Sequence, residues 1–414
     1  MNAIDSGDTA FMLVAAALVL FMTPGLAFFY GGLVRSKNVV NTMMMSFVAL
    51  GVIFVQWILF GYSLSFNAND GPLGSLIGGL GWSGLADVGT TPNPDYAATI
   101  PHELFMVYQA MFAVITPALI SGAIVERMKF NAYVVFILLW TTFSYDVIAH
   151  WVWGVGGWLR TMGALDFAGG TVVHINAGVS ALVATLMLGP RKGFPNRAMP
   201  PHNVTLVLLG GGMLWFGWFG FNAGSALSSG SLATTAFVAT NAAAASGLLG
   251  WLLIDMFTKG KPTAVGAITG AVAGLVAITP ACGFVTPIGA VIIGLGVSGL
   301  CYWILTKRVK WGLDDSLDAF SVHGVGGMFG ALMTGVFATT AVNPSGSNGL
   351  LYGNPSLLWI QLIGVVATIA YSAIITFILI KAISFATAIR SSDEHQHEGL
   401  DLVEHGEKGY HELV

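Results

Sequence analysis

Long runs without a single charged side chain constrain this chain more than any other feature. Residues 11–34, 39–69, 104–125, 130–145 and 167–190 contain no Asp, Glu, Lys or Arg, and neither do three longer stretches, 198–254, 262–306 and 319–380. A helix that crosses a bilayer needs about twenty mostly apolar residues. Each of the first five runs holds one such helix, the fourth continuing through Asp146 toward Trp153. The three longer stretches each hold two helices and a turn. The count is eleven. Only 9% of residues are charged, against about a quarter in a soluble domain. The chain reads as an all-α polytopic membrane protein.

Basic residues test that count, because short cytoplasmic loops concentrate them. They lie at Arg35 and Lys37, Arg127 and Lys129, Arg191 to Arg197, Lys259 and Lys261, Lys307 to Lys310, and from Lys381 onward. With eleven helices all of these fall on one side, and Arg160 alone is left on the other. The N-terminus is then outside and the C-terminus cytoplasmic. Residues 1–384 form a transmembrane domain and 385–414 a polar cytoplasmic tail. The outer loop at 70–100 is long, rich in Gly and Pro, and free of Lys and Arg. The first residues, MNAIDSGDTA, lack the basic stretch of a cleavable signal peptide. No basic domain or stripe suits nucleic acid. Cys282 and Cys301, the only cysteines, offer neither metal-ligand spacing nor a disulfide framework. No metal or cofactor is expected.

Eleven divides as five plus five plus a last helix. Five crossings is an odd number, so the second half is inverted, as in many transporters whose sites lie at the repeat interface. His174 and His323 then occupy helices five and ten, equivalent positions of the two halves. Intramembrane ionisable groups are costly and usually face a bundle interior or an aqueous path. Imidazole exchanges protons near neutral pH. The pair therefore points to a conduit for a polar or protonatable solute; two unrelated interior histidines are the bland alternative. Asp166 lies eight residues before His174 and Asp318 five before His323, a loose echo.

Four segments go further: TPGLAFFYGGLVRSKNV (23–39), AHWVWGVGGWL with DFAGGTVVHINA (within 149–177), WFGFNAGSA (218–226) and DDSLDAFSVHGVGG (314–327). Together they resemble the Amt/Mep branch of the ammonium transporter and Rh superfamily, prokaryotic Amt type, over almost the whole chain. The resemblance implies a homotrimer in the plasma (cell inner) membrane, each protomer with its own pore, taking up ammonium. It implies that Trp153 and Ser225 form an outer recruitment site beside Phe112, where cation–π attraction suits a small cation. It implies that Phe112 and Phe221 are stacked rings closing the pore below. His174 and His323 match the paired pore histidines, and Asp166 the acid near the outer site. A carboxylate at that helix start can also accept orphan backbone N–H groups. Tyr108 stands where some relatives have Phe, which puts its share in the site in doubt. Asp146 falls in no motif that carries over, and His150 reads as structural.

The tail motif GLDLVEHGEKGY (399–410) mixes Leu400, Leu402 and Tyr410 with charges. It is expected to dock on the basic loops at Arg191 to Arg197 and Lys307 to Lys310. The resemblance implies that a PII-class nitrogen signal protein binds this face. Two competing readings are a neutral-gas channel of Rh type, against which Trp153 and Ser225 weigh, and an ammonium sensor with vestigial transport. Sensor members carry an added output domain, and a tail of about thirty residues is too short to fold as one. An enzyme is not expected, since no nucleophile–base pair or nucleotide motif occurs.

Overall fold

The computed structural model describes residues 4–410; the first three and last four residues of the two segments delimited above lie outside it. Eleven apolar helices follow one another: α1 Ser6–Leu33, α2 Ser36–Phe66, α3 His102–Ile124, then α4, which runs through Phe130–Trp140, Thr141–Tyr145 and Asp146–Trp153. After them come α5 Gly170–Leu188, α6 Val204–Ala226, α7 Ser231–Lys259, α8 Ala264–Ile278, α9 Pro287–Arg308, α10 Phe320–Phe337 and α11 Pro355–Ala386. Ten have the length and apolarity of a membrane span. The exception, α8, has 15 residues, about 22 Å at the usual rise. It is shortened by the turns at 279–285 and is buried almost throughout.

The packing is that of two five-helix halves. α1 lies against α6, and α5 against α10. Within the first half α2 packs on α4 and α3 on α5; within the second, α7 packs on α9 and α8 on α10. α11 runs beside α5 and α10. The central crossing depends on glycine. A Cβ on Gly178 of α5 would sit 2.2 Å from the backbone nitrogen of Gly324, and one on Gly327 of α10 would sit 3.0 Å from the carbonyl of Gly170. Small residues there let the two backbones touch.

The helix starts repair a faint point in the sequence. The carboxylate of Asp166 accepts from the backbone N–H of Gly169, Gly170, Thr171 and Val172. Asp315 does the same for Ala319, Phe320 and Ser321. Asp315, not Asp318, is therefore the counterpart of Asp166, and each precedes its histidine by eight residues. Asp318 turns away to Arg308, Nε to Oδ1 2.5 Å.

One face of the bundle gathers charge. Glu126 accepts from Arg35 and pairs with Arg191 at 3.2 Å, and Arg191 pairs with Asp314 at 2.7 Å. The carboxyls of Glu126 and Asp314 are buried. Burial raises their pKa, but the guanidinium of Arg191, and for Glu126 also that of Arg35, outweighs it and holds both below the usual carboxylate range. The tail lies on this face. Its Asp401 accepts from the N–H of Asn41 at the start of α2, and its Glu404 from the N–H of Phe130 at the start of α4. Leu400 N–H donates to Asn38, Lys37 to the carbonyls of Gln396 and His397, and Arg390 to the carbonyls at 188–190. The tail thus docks on the loops around 35–41, 126–130 and 188–192. Its hydrogen bonds among the described residues do not reach Lys307 to Lys310, contrary to the expectation above. Helix N-termini and a carbonyl row bind a polar tail through fixed directions, whereas the lysines there offer only mobile charge. The opposite face holds the N-terminus, where Asp8 bonds Thr99 and Ser229, together with Arg160.

Candidate functional site

Two cavities lie in line with the α5–α10 crossing, one toward each face. The larger, about 300 Å³, opens on the face of the N-terminus and is lined by Phe112, Trp153, Asp166, Ser225, Tyr96 and Gln109 among others. Its parts come from α3, α4, the start of α5, α6 and the outer loop, and several are held by named bonds. The indole N–H of Trp153 donates to the carbonyl of Asp166 at 2.9 Å, so the residue that caps α5 also fixes the Trp153 ring. Ser225 Oγ donates to the carbonyl of Phe221 at 2.9 Å. Tyr108 Oη donates to the carbonyls of Gly220 and Phe221 and lies 3.2 Å from Ser225 Oγ. Tyr108 is fully buried and braces Ser225 from behind the wall without lining the cavity. The Phe112 ring meets Trp153 edge-on at 6.0 Å.

Below the cavity Phe112 and Phe221 lie 4.2 Å apart between ring centroids. Next comes His174, with its ring 6.1 Å from Phe221 and stacked on Trp218 at 5.5 Å. Its Nδ1 is 3.3 Å from Nδ1 of His323. Two neutral imidazoles in that relation cannot be alike. One Nδ1 donates and the other accepts, so one ring presents a bare Nε2 and the other an Nε2–H. His174 Nε2 is buried and bonds no protein atom. Beyond His323 a second, much smaller cavity of about 40 Å³ is bounded by Phe29, Tyr30, Leu317 and Asp318.

The order is therefore aromatic cavity, paired phenylalanines, paired histidines, narrow pocket. Trp153, Ser225, Asp166, Phe112, Phe221, His174 and His323 follow one another along this line. The Ammonium Transporter Family model matches residues 10–410. The chain belongs to the ammonium transporter family. An ammonium transporter of Bacillus subtilis is 51% identical over 409 residues, covering 99% of each chain. The solved structure of Saccharomyces cerevisiae Mep2 superposes with a TM-score of 0.87 at 39% identity, covering 94% of this chain and 88% of that one. A solved sensor Amt protein gives 0.88 at 30% identity, with 96% and 98% covered. The protein is thus an ammonium transporter, not an enzyme, and spans the plasma membrane many times.

Sequence reasoning missed three members of the transporter's line. Trp218 stacks on His174 and bonds Thr279 at 2.9 Å, yet it stood inside WFGFNAGSA and was legible there. Asp315 stood in DDSLDAF, the acid immediately before the one chosen. Tyr30, in TPGLAFFYGG, donates to the carbonyl of Leu119, and nothing in its spacing marks it.

Proposed function

We propose that the transporter takes ammonium from outside at the cavity of Trp153, Phe112 and Ser225, removes its proton there, and conducts ammonia past Phe112 and Phe221 along His174 and His323. The proton crosses separately, relayed by the imidazoles. The single observation that carries this is the 3.3 Å Nδ1–Nδ1 contact of two buried histidines beneath a pair of phenylalanine rings packed 4.2 Å apart. A cation stripped of water faces a cost of several kcal/mol or more in hydrocarbon, whereas ammonia crosses far more easily. Potassium has no proton to lose and is rejected despite its similar size. In this reading the face with the charged network and tail is cytoplasmic and the N-terminus external. Asp166 organises the outer site.

Three protomers, each with its own pore, make up the proposed homotrimer. The tail is a regulatory element beyond the membrane domain, and the face it covers is the proposed surface for a PII-class nitrogen signal protein. Truncation after Arg390 is expected to weaken transport or coupling between protomers; full, normally regulated uptake would reduce the tail to decoration. The pore reading is tested by currents from reconstituted protein given ammonium pulses with potassium controls. Current that follows ammonium and is absent with potassium supports it. Ammonia flux without current would favour a gas channel, and no flux at all a sensor.

A further inference from the structure

Asp146 lies within α4, fully buried, and lines neither cavity of the pore. Gln56 of α2 donates its Nε2 to Asp146 Oδ2 at 2.7 Å and to Thr142 Oγ1 at 3.2 Å. The two remaining oxygens, Asp146 Oδ1 and Gln56 Oε1, are both buried and both without a partner. The helices prepare this meeting. Gln56 is the last residue before the wide π turn Trp57–Gly61 of α2, and Asp146 the first after the π turn Thr141–Tyr145 of α4. Such turns are frequent at functional positions. Gly61 leaves room for the amide, since a Cβ there would lie 2.5 Å from Gln56 Oε1.

Among the described residues no Lys or Arg pairs with Asp146. The titratable groups around it are few. Tyr145 precedes it, and His150, one turn on, has its ring nitrogens 3.0 Å from the carbonyl of Ser65 and 2.8 Å from that of Gly74. On α2, Tyr62 is engaged with His102. An unpaired carboxylate in such a place is very costly, and a buried acceptor without a donor adds to the cost. One proton removes both penalties.

We propose that Asp146 is a proton-binding site, a neutral acid that donates from Oδ1 to Gln56 Oε1 and closes a two-bond acid–amide pair between α2 and α4. The pair makes Asp146 a positioning residue for the outer site. α2 grips α4 at two successive turns, through Gln56 to Asp146 and through the Ser65 carbonyl to His150, and the next turn carries Trp153. The positioning role rests on the recruitment reading above; the protonation does not.

Infrared spectroscopy of the reconstituted protein at neutral pH tests the proton. A protonated-carboxyl C=O band that disappears in Asp146→Asn is expected. Its absence would mean an ionised Asp146, beside a charged His150, and overturns the proposal. Ammonium-dependent currents test the positioning. Asn can restore both bonds as an amide–amide pair, so Asp146→Asn keeps the wild-type half-saturating ammonium concentration. Asp146→Leu raises it about tenfold with the maximal current less affected. Gln56→Met serves the same purpose should the leucine variant not fold. Equal loss in Asp146→Asn and Asp146→Leu, or no change in Gln56→Met, overturns the role. Wild-type current indifferent to ammonium would instead defeat the transport reading and leave the infrared result standing.

Discussion

The two halves start their central helices alike and then surround them differently. In both, an aspartate eight residues before the histidine collects the first backbone N–H groups of the helix. In both, the third residue after that aspartate has a left-handed backbone, Gly169 at φ 114° and Asp318 at φ 63°. Yet α5 opens under a roomy cavity walled by Trp153, Phe112 and Ser225, while α10 opens on a pocket about one-seventh as large beside the Arg308–Asp318 ion pair. The inverted repeat supplies a symmetric histidine pair. The unequal surroundings come from the flanking helices and loops, which the repeat leaves free to differ.

The strongest way to break this comparison is at the histidines. If both halves feed one conduit, His174→Ala and His323→Ala should each cost about a hundredfold or more in ammonium current, the scale of a lost proton-transfer group. Selectivity against potassium should fall as well, with the assembly intact. Unchanged current and unchanged potassium rejection in both variants would remove the pair from the mechanism. A defect in only one would show that the halves share geometry but not work.

Next in size are the caps. Asp166→Ala and Asp315→Ala each orphan several buried N–H groups, and each should lower stability by about 2–3 kcal/mol, read as thermal unfolding in detergent. Asp166→Ala should in addition weaken ammonium capture, because its carbonyl, which holds the Trp153 indole, moves when the turn frays. Equal transport loss in both variants would mean that the outer turn has no special duty.

How much of this was legible beforehand follows from what a sequence records. Uncharged runs and the one-sided placement of Lys and Arg depend on composition, and they disclosed eleven helices. Motifs drew attention to His174, His323, Phe221, Trp153, Ser225 and Asp166, because each sits inside a distinctive run, and the resemblance added Phe112. The choice of Asp318 over Asp315 failed because several acids stood close together, and only the direction of their carboxyls separates a cap from an ion pair. One of the tail's two expected targets was misjudged for a related reason. Counting positive charges pointed to Lys307 and Lys310, while the bonds go to helix starts at Asn41 and Phe130, whose attraction for a carboxylate leaves no trace in side-chain composition. The pairing of Gln56 with Asp146 spans 90 positions and was beyond any local pattern.

The paired left-handed residues sharpen the comparison at smaller scale. Gly169→Ala should destabilise by about 1–2 kcal/mol, since a side chain at that φ is strained and its Cβ would lie 2.7 Å from Val173. Asp318→Gly should relieve backbone strain of about 1 kcal/mol but lose the contact to Arg308, leaving stability nearly unchanged. Thermal unfolding of the two variants decides. A large loss in Asp318→Gly would make the ion pair, not the turn, the essential feature of the second half.

The smallest expected effect concerns pH and the charged face. Burial, then the nearby charge of Asp318, pushes Asp315 up to about 6 from 3.8, although Arg308 and the capped N–H groups oppose this. The folded state therefore holds a proton that the unfolded chain releases between about pH 4 and 6. In that window stability should fall as pH rises, and above it should level off. Asp318 and Asp401 are raised as well, each chiefly by burial, and act in the same sense. Glu126 and Asp314 act in the opposite sense, because their arginines hold them low; what they contribute is present above about pH 4 and is lost on acidification below it. Melting temperature should thus climb on leaving strong acid and then decline gently toward pH 6, with Asp315→Asn making the decline shallower by on the order of a degree or two and leaving the acid limb as it was. A decline that persists in full in Asp315→Asn would assign the titration to Asp318 and Asp401, and would make the cap of α10 a charged one, held by its N–H groups alone.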